Sequence, residues 1–70
     1  MKSVYDVRQL LKKFGTIIYI GDRIADFELM EEEIKELYQQ KMIPSETFLL
    51  ARSILRDEMR YLQSEGGESK

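Results

Sequence analysis

Wound at 100° per residue, the chain near its amino terminus brings Tyr5, Arg8, Gln9 and Lys12 to one side, with Lys13 at the edge of the group. An outward aromatic ring among cations and an amide is chemistry that a single-stranded nucleic acid uses. The cations offset phosphate charge, and the ring stacks on a base. Tyr19 and Arg23 lie further along the chain, where they extend the track. The same residues also describe a plain amphipathic helix whose long cationic side chains meet only water. Four cations are a small footprint on a chain of net charge −2.

Arg52, Arg56 and Arg60 recur at i,i+4, and Glu28, Glu32 and Glu36 mirror them. An antiparallel hairpin turning at Pro44 sets Glu36 level with Arg52, Glu32 with Arg56 and Glu28 with Arg60. The helical wheel turns both stripes mostly away from the core faces, so direct bridges are confined to the seam. Glu31 and Glu32 also have Lys35 as a local partner. The arginine stripe is therefore a second candidate contact for phosphate or an acidic partner, and equally a solvated face.

Catalysis has little to work with. The chain has no Cys and no His, which removes thiolate nucleophiles, the commonest general base and the commonest metal ligand. Glu28, Glu31, Glu32, Glu33 and Glu36 fan around a helix instead of converging as a hard-cation site requires. Gly15 and Gly21, with no Lys-Ser/Thr after them, are not a phosphate-cradling loop. Ser3, Ser45 and Ser53 lack a base of the usual kind. A non-catalytic protein with no cofactor is expected.

These side chains must be positioned by three helices. Ser3 is a candidate cap with Asp6 three residues later, and Val4, Val7, Leu10, Leu11 and Phe14 follow at helical spacing until Gly15. That places a helix over about 4–14, with Val4, Val7, Leu11 and Phe14 facing the core. Residues 15–21 are a β-branched run between glycines, yet no second strand pattern exists to pair with it. A buried extended connector or a short helical turn is expected there; the alternative is a strand that pairs only with another chain. Asp22 caps a second helix to about residue 41, on Ile24, Phe27, Met30, Ile34, Leu37 and Tyr38. Pro44 blocks continuation, and Ser45 caps a third helix to about residue 63, on Phe48, Ala51, Leu55, Met59 and Leu62. Leu50, Ile54 and Tyr61 widen its apolar arc. The polar, glycine-containing residues 64–70 are expected to be a disordered tail.

The expected fold is thus all-α: one domain over 1–63, a small three-helix bundle with an irregular apolar connector between helices 1 and 2. Seventy residues bury only about 60% of their unfolded surface, so a second copy is a natural supplement. Charge is unevenly spread. Residues 1–15 carry a net +3, residues 22–41 a net −4, and residues 44–63 are balanced. With neither a signal peptide nor a membrane-length apolar run, a cytoplasmic protein with no membrane partner is expected.

Tyr5-Asp6-Val7, Leu10-Leu11, Phe14-Gly15, Ile17, Tyr19 and Gly21-Asp22-Arg23 together resemble the YqgQ family of small proteins of Gram-positive firmicutes. Met30, Lys35-Glu36-Leu37-Tyr38 and Met42-Ile43 fit the same pattern, so the resemblance spans about residues 4–43. It implies a compact three-helix fold, no established activity, and a family regarded as a candidate for binding single-stranded nucleic acid, with no site assignments to carry over. The expected function is a small binding protein that contacts single-stranded DNA or RNA. Tyr5 stacks, Arg8, Lys12, Lys13 and Arg23 contact phosphates, and Arg52, Arg56 and Arg60 form a second track. The alternative is a protein–protein adaptor or self-associating module, motivated by surplus apolar surface at Ile17, Ile18, Ile20, Leu49, Leu50 and Ile54.

Overall fold

The computed structural model describes residues 1–68, with side chains described through residue 64. It contains three helices: α1 (Val4–Lys13), α2 (Arg23–Gln39) and α3 (Ser45–Glu68). No strand is present among the described residues. The protein is an all-α three-helix bundle in which α2 and α3 form the main antiparallel pair and α1 lies across both. Helical backbone continues past residue 63, where the apolar spacing ends, to Glu68. The remainder of the disordered tail expected over 64–70 lies outside the described residues.

The helix ends follow from local chemistry. At α1 the Ser3 side chain makes no capping hydrogen bond. Asp6 instead accepts from the Lys2 backbone N–H at 2.8 Å, one residue earlier than a capping box requires. α1 ends where Gly15, at φ +83°, donates to the Lys12 carbonyl and Thr16 donates to Leu11. The same pair of reversed bonds closes α2, with Lys41 donating to Tyr38 and Met42 to Leu37. Here the left-handed position is held by Lys41, at φ +62°, where glycine is usual. That reversal ends α2 at Gln39, short of residue 41. Asp22 does cap α2, accepting from the Ala25 N–H at 3.2 Å. The expected cap at Ser45 is displaced. Phe48 N–H donates to the Pro44 carbonyl, which puts Pro44 at the cap and Ser45 inside the helix.

The core is built from Val7 and Leu11 of α1, Phe27, Met30, Ile34 and Leu37 of α2, Ile43 of the turn, and Ala51 and Leu55 of α3. Val4, Leu10, Phe48, Met59 and Leu62 pack against it from the margins. Three expected core residues sit outside, the half-buried Ile24 among them. Phe14 is exposed, because it is already in the reversal that ends α1. Tyr38 is partly exposed and stacks on Phe48 across the α2–α3 seam, with ring centroids 4.6 Å apart and planes at 8°.

Residues 16–20 are neither helix nor turn, which is the irregular apolar connector expected. Their backbone polar groups need partners, and two charged side chains supply them. Arg8 Nη1 donates to the Ile18 carbonyl at 3.0 Å. The Ile20 N–H donates to Asp26 Oδ1 at 2.8 Å. Asp26 is the one buried charged residue of the core region, at 2% exposure. Ile18 packs against the core while Ile17, Tyr19 and Ile20 face solvent, so the connector is not the buried segment expected: it lies on the outside of the bundle and only Ile18 reaches the core.

Candidate nucleic-acid interface

The outward side of α1 presents Tyr5, Gln9, Lys12 and Lys13, all exposed, as the helical spacing requires. Tyr5 is 68% exposed, and Tyr19 on the connector reaches 82%. Lys12 lines a half-open groove of about 180 Å³ whose apolar wall is Leu11, Ile17, Ile18 and Met30. Lys13 lies over the next depression, beside Gln9, Leu10 and Asp6. Both lysines fall in the last turn of α1, where carbonyls without helical partners favour cations. Neither has an ion-pair partner among the described residues.

The structure divides the remaining candidates. Arg8 is half-buried and spends a guanidinium donor on the Ile18 carbonyl, so it holds the connector against α1. Tyr5 and Arg23 share a groove with Phe27, Ile54, Asp57 and Glu58. Those two carboxylates offset the Arg23 charge locally and make that end of α1 a poorer place for phosphate.

The arginine stripe is committed within the molecule. Arg52 lies over the Phe48 ring, 5.4 Å from its centroid, as the outer layer of the Tyr38–Phe48 stack. Arg56 Nε and Nη2 both donate to Glu31 Oε2, the shorter bond at 2.8 Å, across the α2–α3 seam. Arg60 Nη1 donates to Asp57 Oδ1 at 3.0 Å along its own helix. The cross-hairpin partner of Arg56 is thus Glu31, not Glu32. Of the two acids, Glu31 is the one turned toward the seam, where it is only partly exposed.

Two groups have shifted titration. The Lys2 backbone N–H holds the Asp6 carboxyl below the ordinary carboxylate range, and the Ser3 backbone and nearby positive charge add to the effect. The Glu31 hydrogen bond raises Arg56, which keeps that guanidinium protonated throughout any useful pH range. No group of His, Cys, Asp and Glu able to hold a metal ion occurs among the described residues. The depression beside Glu28, Glu31 and Glu32 also takes in Ala25 and Leu29, an acidic surface without convergent ligands. No helix among the described residues is long and apolar enough to cross a membrane.

Sequence reasoning missed Asp26. The signal was present: Asp26, Met30, Ile34 and Leu37 lie on one stripe of α2, so an acid sits on the apolar face beside a segment needing hydrogen-bond partners. It also missed the double use of Arg8, since helical spacing cannot say that a connector folds back over the outer edge of α1.

Compared with known proteins, the chain matches the family model described as YqgQ-like over residues 1–61. It is similar to the uncharacterised protein YqgQ of Bacillus subtilis (strain 168), with 49% identity over 59 residues, covering 84% of this chain and 83% of that protein. The match runs through α1, the connector, α2 and most of α3, the frame that holds Arg8 and Asp26 against the connector. On that extent of agreement, the chain belongs to the YqgQ-like family.

Proposed function

We propose that this protein is a non-catalytic binding protein that holds single-stranded nucleic acid on the outward face of α1 and the adjoining connector. The observation that carries this reading is the pairing of uncommitted cations with exposed rings. Lys12 and Lys13 have no internal partner among the described residues, and Tyr5 and Tyr19 stand 68% and 82% exposed around them. The lysines contact phosphates as point charges, and the two rings offer stacking surfaces that any base can use. Gln9, between Tyr5 and Lys12 on the same face, adds donors and an acceptor for a base edge or sugar. Arg8 supports this face by positioning the connector that carries Tyr19. Arg23, Arg52, Arg56 and Arg60 are secondary contacts in this reading, because each stands beside an internal carboxylate or ring.

The test is fluorescence anisotropy of a labelled single-stranded oligonucleotide titrated with the chain and with Lys12→Glu and Tyr19→Ala variants. Binding that both variants weaken, Lys12→Glu equally for all base sequences, supports the α1 face. An absence of binding at low salt, or binding that neither variant changes, overturns it.

A further inference from the structure

Thr16 and Ile18 of the connector are half-buried, while Ile17, Tyr19 and Ile20 are 78%, 82% and 59% exposed. The two bonds that tie this segment to the body use the Ile18 carbonyl and the Ile20 amide. In an extended chain the peptide groups of alternate residues point to opposite edges. With the Ile18 carbonyl and the Ile20 amide bonded inward, an extended backbone directs the amides and carbonyls of residues 17 and 19 outward. None of those four groups has a hydrogen-bond partner among the described residues. The result is a short open edge flanked by large apolar side chains, which is the feature that recruits another strand.

We infer that this edge pairs antiparallel with the same segment of a second copy of the chain, about a two-fold axis at Ile18. Gly15 and Gly21, both at positive φ, end the segment at equal distances from Ile18, so it matches itself in length and register. In that register Ile17 lies opposite Tyr19 of the second copy. Each N–H of that pair donates to the other's carbonyl, and symmetry repeats the exchange. A β-branched residue opposite an aromatic is a favourable cross-strand pair. Ile17, Tyr19 and Ile20 expose roughly 400 Å² per copy, so two copies offer roughly 800 Å² before backbone is counted, short of the roughly 1,000 Å² that a stable interface clears. That area fits a weak, concentration-dependent dimer. The inference shares Tyr19 with the nucleic-acid reading, so it is tested without any nucleic acid and the two fail separately.

The chain has no cysteine, so introduced thiols report without interference. Ile17→Cys and Tyr19→Cys proteins, both substituted at exposed positions, are mixed in equal amounts and oxidised with helicity followed by circular dichroism. The register predicts a mixed disulfide several-fold above its statistical share. Sedimentation equilibrium up to about 1 mM reads the unmodified chain. Tyr19→Pro, which deletes an outward amide, should weaken dimerisation about tenfold or more, while Tyr19→Val, which keeps it, should not. A strict monomer, a statistical disulfide mixture, or a dimer indifferent to Tyr19→Pro overturns the inference. So does an edge that pairs only with an extended peptide of another protein.

Discussion

At the residue scale, Asp26 and Arg8 decide where the connector lies. The Ile20 amide has a nearly buried carboxylate as its partner, and a part-buried hydrogen bond of this kind contributes about 1 kcal/mol. Asp26→Leu should therefore lower unfolding stability in urea by about that amount. Asp26→Asn, which keeps a side-chain oxygen, should cost distinctly less. Equal losses for the two variants would mean that the bond is not what stabilises this region. Arg8→Met, which keeps the packing stem and deletes the donor, should cost about 1–2 kcal/mol and raise hydrogen exchange at Ile20.

Asp6 yields a prediction in pH. Its bond from the Lys2 backbone favours the charged carboxyl, so the folded chain binds this proton less tightly than the unfolded chain. The contribution is complete above the ordinary aspartate range and is lost as pH falls through the lowered folded value. The stability gap between the native chain and Asp6→Asn should be constant near neutrality and close below about pH 4. A gap that stays open in acid would place the role of Asp6 in packing instead of charge.

At the element scale, α1 and α2 end with the same pair of reversed backbone bonds but different residues at the left-handed position. Gly15 occupies it without strain at φ +83°, whereas Lys41 holds φ +62° with a Cβ. An added Cβ at Gly15 meets nothing within 4 Å, so the cost of Gly15→Ala is conformational. It should destabilise by about 1 kcal/mol, and Lys41→Gly should stabilise by up to about 1 kcal/mol. For a chain of this size that is a shift of about 4–8 °C in melting temperature, in opposite directions for the two variants. Two shifts of the same sign would show that these reversals do not limit the helix ends.

The helices themselves were legible because apolar spacing, glycine and proline state them directly. Val7, Leu11, Phe27, Met30, Ile34, Leu37, Ala51 and Leu55 are all buried on the faces their spacing assigns. Tertiary hydrogen bonding was not legible. Asp6 reaches Lys2 instead of completing a box with Ser3, and Pro44 takes the cap position from Ser45, because caps depend on backbone angles at single residues. The connector was legible as apolar and irregular. Its partners were not, since they come from residues 8 and 26, on two different helices, whose spacing carries no mark of the segment between them.

At the scale of the whole molecule, the long α3 sets an extent of 42 × 23 × 18 Å, and charge is sorted over that length. The acidic surface lies on α2, Lys12 and Lys13 lie at the end of α1 without an ion-pair partner among the described residues, and the arginines of α3 stand against internal partners. This sorting makes salt dependence a way to count which cations meet a nucleic acid. Each phosphate neutralised on a single strand adds about 0.7 to the slope of log affinity against log salt. Lys12 and Lys13 alone give a slope near −1.4, or a loss of about 7-fold between 50 and 200 mM salt. Adding Arg52, Arg56 and Arg60 gives a slope near −3.5 and a loss above about 100-fold. Because the arginines would first have to leave Glu31, Asp57 and the Phe48 ring, the shallower slope is expected. Lys12→Glu should flatten it by about 0.7 or more, and Arg56→Gln should leave it unchanged. A slope near −3.5 that Arg56→Gln reduces would transfer the binding face from α1 to α3.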